Sequence, residues 1–250
     1  MASFLPALFY LSAAVFLLGM AWRVFTWLRA PVPLKIPLTP GPATAAGVVG
    51  RMAGEVILFR SLFGADRSLW AAAWVFHVAL VLLAIGHVAG LVVPDFARAV
   101  LGLTSDQSSH LAHVTGGAFG ILAVVPLIFL FIRRLVVERV RHISALSDYL
   151  ALALLFLAIQ TGNHMRFMGD LNIAQAREFV AGLLAFRPVP PPQDGPFVAH
   201  MLLVCALLVY IPFSKLMHLG GIFFSPTLNQ TNDPRQRRHV NPWDHEASKA

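Results

Sequence analysis

The sequence predicts an all-α fold: an integral membrane bundle of five transmembrane helices, with the N-terminus outside and the C-terminus in the cytoplasm. Three observations carry this expectation. First, 57% of the 250 residues are hydrophobic and only 12% are charged, against about 25% charged in a soluble domain, and mean hydropathy is +0.70. Second, five separate stretches are long and apolar enough to cross hydrocarbon, which takes about 20 residues of helix. Third, lysine and arginine fall unequally on alternate connections, as membrane topology requires. Residues 1–224 are expected to form the membrane domain and residues 225–250 a cytoplasmic tail that docks a partner subunit. No internal repeat is present.

The first stretch is Phe4–Leu28. A secretory signal carries its basic residues ahead of the apolar segment. Here Arg23 and Arg29 come at its end, so the stretch reads as a retained anchor. Ala45–Phe63 is apolar with Arg51, Glu55 and Arg60 spaced along it, the pattern of a segment lying on the inner membrane surface. The second stretch is Leu69–Val93, and Pro94–Leu103 after it predicts a short outer helix. The third and fourth are Leu111–Ile132 and Tyr149–Arg166. Ile173–Phe186 predicts another short helix, capped by Asn172. Arg187–Pro196 is rich in proline and should be extended. The fifth stretch is Phe197–Leu219. From Ser225 onward, Pro226, Asn229, Asn232, Asp233 and Pro234 break regularity.

Of the 19 lysines and arginines, only Arg98, Arg166, Arg177 and Arg187 fall on one side of this topology. The rest fall on the other, which is therefore cytoplasmic. Trp22, Trp27 and Trp70 lie near that interface, where aromatic side chains anchor helices. The net charge of +7 follows from these connections and does not point to nucleic acid. Cys205 is a lone cysteine inside an apolar stretch. It offers no disulfide or metal motif and reads as a packing residue.

Four histidines stand inside the apolar stretches: His77 and His87 in the second, His200 and His218 in the fifth. An ionisable side chain at membrane depth points to a functional site. The second helix runs outward and the fifth inward, so depth pairs His77 with His218 and His87 with His200. Ten residues span roughly 15 Å of helix and eighteen roughly 27 Å. Eighteen residues also make five whole turns, so an unbroken helix would put His200 and His218 on one face, with Pro212 bending it locally. His77 and His87 stand about 80° apart, still on one side. Gly86 and Gly90 flank His87 and permit close approach of a flat group to the backbone. Two imidazole pairs at matched depths suit the axial ligation of two b-type haems. A single membrane histidine is more often hydrogen-bonded to a neighbouring helix. Zinc would need its ligands clustered.

These residues resemble the gamma subunit family of respiratory nitrate reductase. The resemblance covers roughly Phe4 to Gly221 and includes the Gly86–His87 pair and the ten- and eighteen-residue spacings. It implies five helices, an outside N-terminus and two haem b groups. His77 and His218 would hold the inner haem iron, His87 and His200 the outer. The segments Gly220–Gly221, Ser225–Pro226–Thr227, Asn229–Gln230, Asn232–Asp233–Pro234 and Arg237–Trp243 resemble a further branch, the M subunit of the membrane complex associated with dissimilatory sulfite reductase. That resemblance implies a cytoplasmic iron–sulfur partner of the heterodisulfide-reductase type and further membrane and periplasmic subunits. It also implies menaquinone or ubiquinone in the membrane. No lysine lies between the second and third stretches, where the nitrate branch has one at its quinol site, so quinone contacts do not transfer residue by residue.

The remaining candidates have weaker signals. His110, His113, His164 and Arg166 gather at the outer surface, with Gln160 and Asn163 one turn deeper. They suit a quinone headgroup and its protons, and equally suit polar residues at an interface. Arg133 and Arg134 mark the cytoplasmic boundary, with a haem propionate as an alternative partner. His142, His239 and His245 lie in solvated segments. Gly116, Gly117 and Gly120 predict close helix packing. Arg235, Arg237, Arg238 and Trp243 are residue types that anchor an interface. The expected function is electron transport in a quinone-linked complex of sulfur metabolism. The alternatives are a nitrate reductase gamma subunit, a hydrogenase or formate dehydrogenase cytochrome b, or a proton-coupled transporter, which would be colourless.

Overall fold

The computed structural model describes residues 3–32, 34–169 and 171–233. Five of its helical segments are long and apolar enough to cross a membrane: Phe4–Arg29, Arg67–Val92, Ser105–Val136, Leu146–Phe167 and Gly195–Phe213. In chain order the helices are α1 (Phe4–Arg29), α2 (Ala45–Leu58), α3 (Arg60–Ala65), α4 (Arg67–His87), α5 (Pro94–Leu101) and α6 (Ser105–Val136). They continue with α7 (Glu138–His142), α8 (Leu146–Phe167), α9 (Ile173–Leu184), α10 (Gly195–Tyr210), α11 (His218–Gly221) and α12 (Pro226–Asn229). No strand occurs among the described residues.

The helix starts follow capping chemistry. The side chains of Thr44, Asp66, Thr104, Asn172 and Asp194 each accept from a backbone amide in the first turn that follows. Thr104 and Gln107 close a reciprocal capping box. Asn172 caps α9 as the sequence predicts. The amphipathic run Ala45–Phe63 is two helices, not one. Phe59 adopts a left-handed conformation at φ 51°, and the Glu55 carboxylate accepts from the Ser61 amide and hydroxyl at 3.1 and 2.5 Å, which caps the start of α3.

The fifth stretch also departs from expectation. Helix α10 ends at Tyr210, Ile211–Phe213 is a 3₁₀ turn, and Ser214 is extended at ψ 176°. A second 3₁₀ turn, Lys215–Met217, precedes α11. Pro212 has no amide hydrogen, and its ring blocks the carbonyl one turn back. Ser214 takes over locally: its hydroxyl donates to Ile211 O at 3.1 Å and accepts from the Leu216 amide at 3.2 Å. The five unbroken turns expected between His200 and His218 are therefore not made.

The chain divides into two compact units: Met1–Met20 with Asp66–Leu216, and Ala21–Ala65 with the residues from Met217 onward. In the first unit α4 packs on α6, α6 on α8 and α8 on α10. Phe76 and Ala79 of α4 and Ala123 and Leu127 of α6 form one buried cluster, backed by Leu152, Leu155 and Phe156 of α8. A second cluster joins Leu5 of α1, Ala176, Phe179 and Leu183 of α9, and Phe197 and Met201 of α10. Cys205 is buried and unpaired with any other cysteine. Gly120 admits Asn163, whose Oδ1 lies 1.9 Å from the place a Cβ would take. Gly117 likewise admits Phe167, and Gly116 admits the Arg166 guanidinium. The predicted role of these glycines in close packing is thus the contact of α6 with α8.

One end of this unit is joined by charge. Arg133 donates to Asp66 at 3.0 Å, tying the end of α6 to the start of α4. Arg134 reaches Asp148 at 3.5 Å and Lys215 reaches the same carboxylate at 2.8 Å. Asp148 is buried in the first turn of α8 and also accepts from the Ala145 amide. Both arginines thus have carboxylate partners within the fold.

In the second unit the segment 34–42 pairs with Ser225–Asp233. Leu38 N donates to Thr227 O, Ile36 N to Gln230 Oε1 and Asn232 N to Pro42 O, at 2.8–2.9 Å. Lys35 pairs with Asp233 and donates to Thr231. The first part of the expected tail is therefore held by backbone hydrogen bonds. Arg235, Arg237, Arg238, His239, Trp243 and His245 lie outside the described residues.

Two outcomes test this packing. A Cβ on Gly19 would stand 2.6 Å from Cβ of the rigid Pro212 ring. Gly19→Ala should destabilise by roughly 1–3 kcal/mol and lower the Tm in detergent. Gly50→Ala in α2, where a Cβ meets nothing within 4 Å, should hold or raise it, because alanine gains up to about 1 kcal/mol of helix propensity. The second outcome concerns Asp66. The Leu69 amide foremost, with the Ser68 hydroxyl and Arg133, holds its carboxyl at about 2. A lowered pKa contributes stability that is complete above the ordinary value and lost as pH falls through the folded one. The Tm gap between the natural protein and Asp66→Asn should hold from pH 7 to about 5 and close between about pH 4 and 2. A gap independent of pH refutes the assignment.

Candidate functional site

Helix α4 carries His77 and His87 and, just past His87, widens into a π turn over Val88–Val92. Both histidines turn Nδ1 back onto their own helix: His77 Nδ1 lies 2.7 Å from Ala73 O, and His87 Nδ1 lies 2.7 Å from Leu83 O. A carbonyl only accepts, so Nδ1 carries the hydrogen in each. The lone pair is then on Nε2, the nitrogen offered to a metal.

His200 reaches the same tautomer by another route. Its Nδ1 lies 3.0 Å from Ala158 O and 3.0 Å from Thr161 Oγ1, both on α8. The Thr161 hydroxyl donates to Leu157 O at 2.9 Å, which leaves its oxygen lone pairs for His200. Gly162 lies beside the ring: His200 Cε1 is 3.6 Å from the place where a Cβ would be, an ordinary van der Waals separation. Helix α8 therefore supplies the bed on which the α10 imidazole rests.

The structure brings His87 and His200 together. Their ring centroids are 6.3 Å apart and their planes differ by 8°. That separation exceeds a face-to-face contact. It matches an atom held between two imidazoles: with metal–nitrogen bonds of about 2 Å, centroids fall about 6 Å apart. A Cβ on Gly86 or Gly90 would meet nothing within 4 Å, so open space borders the pair on the α4 side. Helices α4 and α10 do not pack backbone against backbone as the other neighbours do. Parallel rings, matching tautomers and flanking room fit a flat iron cofactor ligated from both faces. Among the described residues no group of three or more His, Cys, Asp or Glu forms a metal cluster.

The other candidates are placed as follows. His218 is exposed and opens α11 in the second unit. His110 and His113 are exposed on α6, and His164 is exposed on α8. None of these three imidazoles makes a hydrogen bond among the described residues. Arg166 is half-buried, its guanidinium 3.0 Å from the Cβ position of Gly116. Asn163 donates to Gln160 at 3.2 Å. His142 approaches Glu138 across one turn of α7 at the surface.

Sequence reasoning missed Ala158 and Thr161, which orient His200, and Gly162 beside them. A signal was present: the fourth stretch holds a hydroxyl beside a glycine at membrane depth and no ligand of its own. It also counted Arg177 only as an outer-side charge. Arg177 Nε donates to Gly90 O in the π turn at 2.8 Å.

The chain matches the family model for the nitrate reductase gamma subunit over residues 60–234. It is 34% identical over 272 residues to an Hdr-like menaquinol oxidoreductase cytochrome b-like subunit of Archaeoglobus fulgidus, covering 94% of this chain and 81% of that protein. A protein of the same name from Archaeoglobus profundus is 33% identical over 95% of this chain and 82% of its own length. The nitrate reductase gamma chain of Bacillus subtilis is 29% identical over 62% of this chain and 74% of its own.

Proposed function

The chain belongs to the nitrate reductase gamma subunit family and is a multi-pass membrane protein, and we propose that it is the dihaem cytochrome b subunit of a quinone-linked redox complex. It passes electrons between the membrane quinone pool and a cytoplasmic iron–sulfur subunit of the heterodisulfide-reductase type, in dissimilatory sulfur metabolism. The observation that carries this reading is the His87–His200 pair, parallel within 8° at 6.3 Å, with both Nδ1 atoms committed to hydrogen bonds. Haem iron, when bound, supplies reversible one-electron transfer. The residues do the rest. His87 and His200 would hold the outer haem, and Gly86 leaves room beside it. Carbonyl acceptors on Nδ1 raise the electron donation of each ligand and fix its plane. His77 and His218 would hold the inner haem, a pairing supported by the sequence alone, through the predicted depths and the family resemblance. No residue is assigned to bond-making chemistry on the final sulfur substrate.

The quinone headgroup belongs at the outer surface, beside His110, His113, His164 and Arg166. Exposed imidazoles with no internal partner suit proton exchange with a quinol. The archaeal relatives are named menaquinol oxidoreductase subunits, and menaquinone or ubiquinone is the substrate proposed here. The excess of lysine and arginine on one side supports an outside N-terminus and a cytoplasmic C-terminus in the cell's inner membrane. The same relatives align over nearly the whole chain, including most of what precedes the family match at residue 60. The segment 34–42, which pairs with Ser225–Asp233, lies in that extra length. This supports a docking role for the residues beyond Asp233 in an Hdr-like assembly that also has membrane and periplasmic subunits.

A reduced-minus-oxidised visible spectrum of the purified protein should show b-type haem. His77→Ala or His218→Ala should remove one haem signal, and His87→Ala or His200→Ala the other. Full haem content in all four variants sinks the ligand assignment, and a colourless natural protein favours the transporter. Truncation after Asp233 keeps the 34–42 contacts. It should release the iron–sulfur partner while both haems stay, and a partner that still co-purifies refutes the docking role.

A further inference from the structure

The π turn after His87 is the irregular element nearest the candidate ligands. In a π turn each amide bonds five residues back, as Val93 N does to Val88 O at 3.0 Å. Such turns recur at functional sites because they rotate the residues beside them. The turn here is held from outside its own helix. Arg177 Nε donates to Gly90 O at 2.8 Å, across 87 residues of sequence. No other side-chain hydrogen bond or ion pair of Arg177 is present among the described residues.

Arg177 sits on a firm support. Its neighbours on α9, Ala176 and Phe179, are 2% and 0% exposed. They pack with Leu5, Phe197 and Met201, so α9 is fixed to the start of α10. His200 lies between Phe197 and Met201 on that helix. One buried cluster thus backs His200 directly and holds His87 through a single arginine hydrogen bond. Removing the bond leaves Gly90 O without its partner and frees the π turn to rewind by one residue. A one-residue change of register turns a helical side chain by about 100°, far from the 8° that now separates the rings.

We propose that Arg177 is a positioning residue for His87: its hydrogen bond to Gly90 O fixes the π turn and so holds the His87 ring parallel to His200. This rests on the reading of His87 and His200 as ligands of one haem. The working atom is a nitrogen donor rather than the positive charge. Glutamine places Nε2 the same number of bonds from Cα as arginine places Nε, without the charge. Methionine fills a similar length and donates nothing.

The test uses the full chain with its haems, read by electron paramagnetic resonance of the oxidised protein, where the low-field g value reports the relative orientation of the axial imidazoles. The signal lost in His87→Ala identifies the outer haem. Arg177→Met should shift that signal and leave the other unchanged. Arg177→Gln should match the natural protein at both. An unshifted outer signal in Arg177→Met overturns the proposal, and so does a shifted or lost one in Arg177→Gln, which carries the test alone if the methionine variant does not assemble. If His87→Ala retains both haems, the ligand reading itself fails. If it loses one while Arg177→Met is unshifted, only the role of Arg177 fails.

Discussion

Lipid offers no hydrogen-bond partner, and the arrangement of this chain depends on that constraint. A helix satisfies its own interior amides but leaves its ends and its polar side chains open. At one end of the first unit the answer is a chain of charge: Asp66 with Arg133, then Arg134 and Lys215 on Asp148. Asp66 begins α4, the arginines end α6, Asp148 begins α8 and Lys215 follows α10. These links join the four helices at that end, where the apolar packing of α4, α6, α8 and α10 gives way to charge.

The same constraint decides the state of the histidines. An imidazole N–H at membrane depth needs an acceptor. His77 and His87 find theirs one turn back on α4, while His200 crosses to α8. In each case the acceptor is a carbonyl, which selects one tautomer and leaves the lone pair on Nε2. The hydrogen bond that makes a histidine tolerable in hydrocarbon also leaves that nitrogen available to a metal.

Much of this was legible in the residues. The first four apolar stretches appear as helices with boundaries shifted by a few residues, while the fifth leaves the α-helix after Tyr210; the cap at Asn172 and the packing glycines of α6 follow from residue type alone. Opposite helix directions put His87 and His200 at matched depth, and in the structure their rings lie parallel at 6.3 Å. Other features were not legible, for physical reasons. Pro212 announces a bend, but that the chain would leave the α-helix through Ser214 depends on the hydroxyl finding both Ile211 O and Leu216 N. Ser225–Asp233 reads as a polar tail because its partners, residues 34–42, are about 190 positions away. Arg177 reads as a topology charge because its acceptor is a backbone carbonyl, which no side-chain pattern reveals.

Helix α8 shows how these facts connect. It is the least apolar of the five spans and holds none of the four histidines. Several of its polar groups serve a neighbour: Asp148 binds Arg134 and Lys215, the Ser147 carbonyl accepts from Tyr210, and Asn163 and Arg166 fill the glycine stripe of α6. Thr161 and the Ala158 carbonyl orient His200. A transmembrane helix this polar would be costly alone in lipid, so its composition makes sense only when surrounded by α6 and α10. The imidazole on α10 is held by polar groups of a third helix, α8. The low hydropathy of the fourth stretch is the sequence trace of that role.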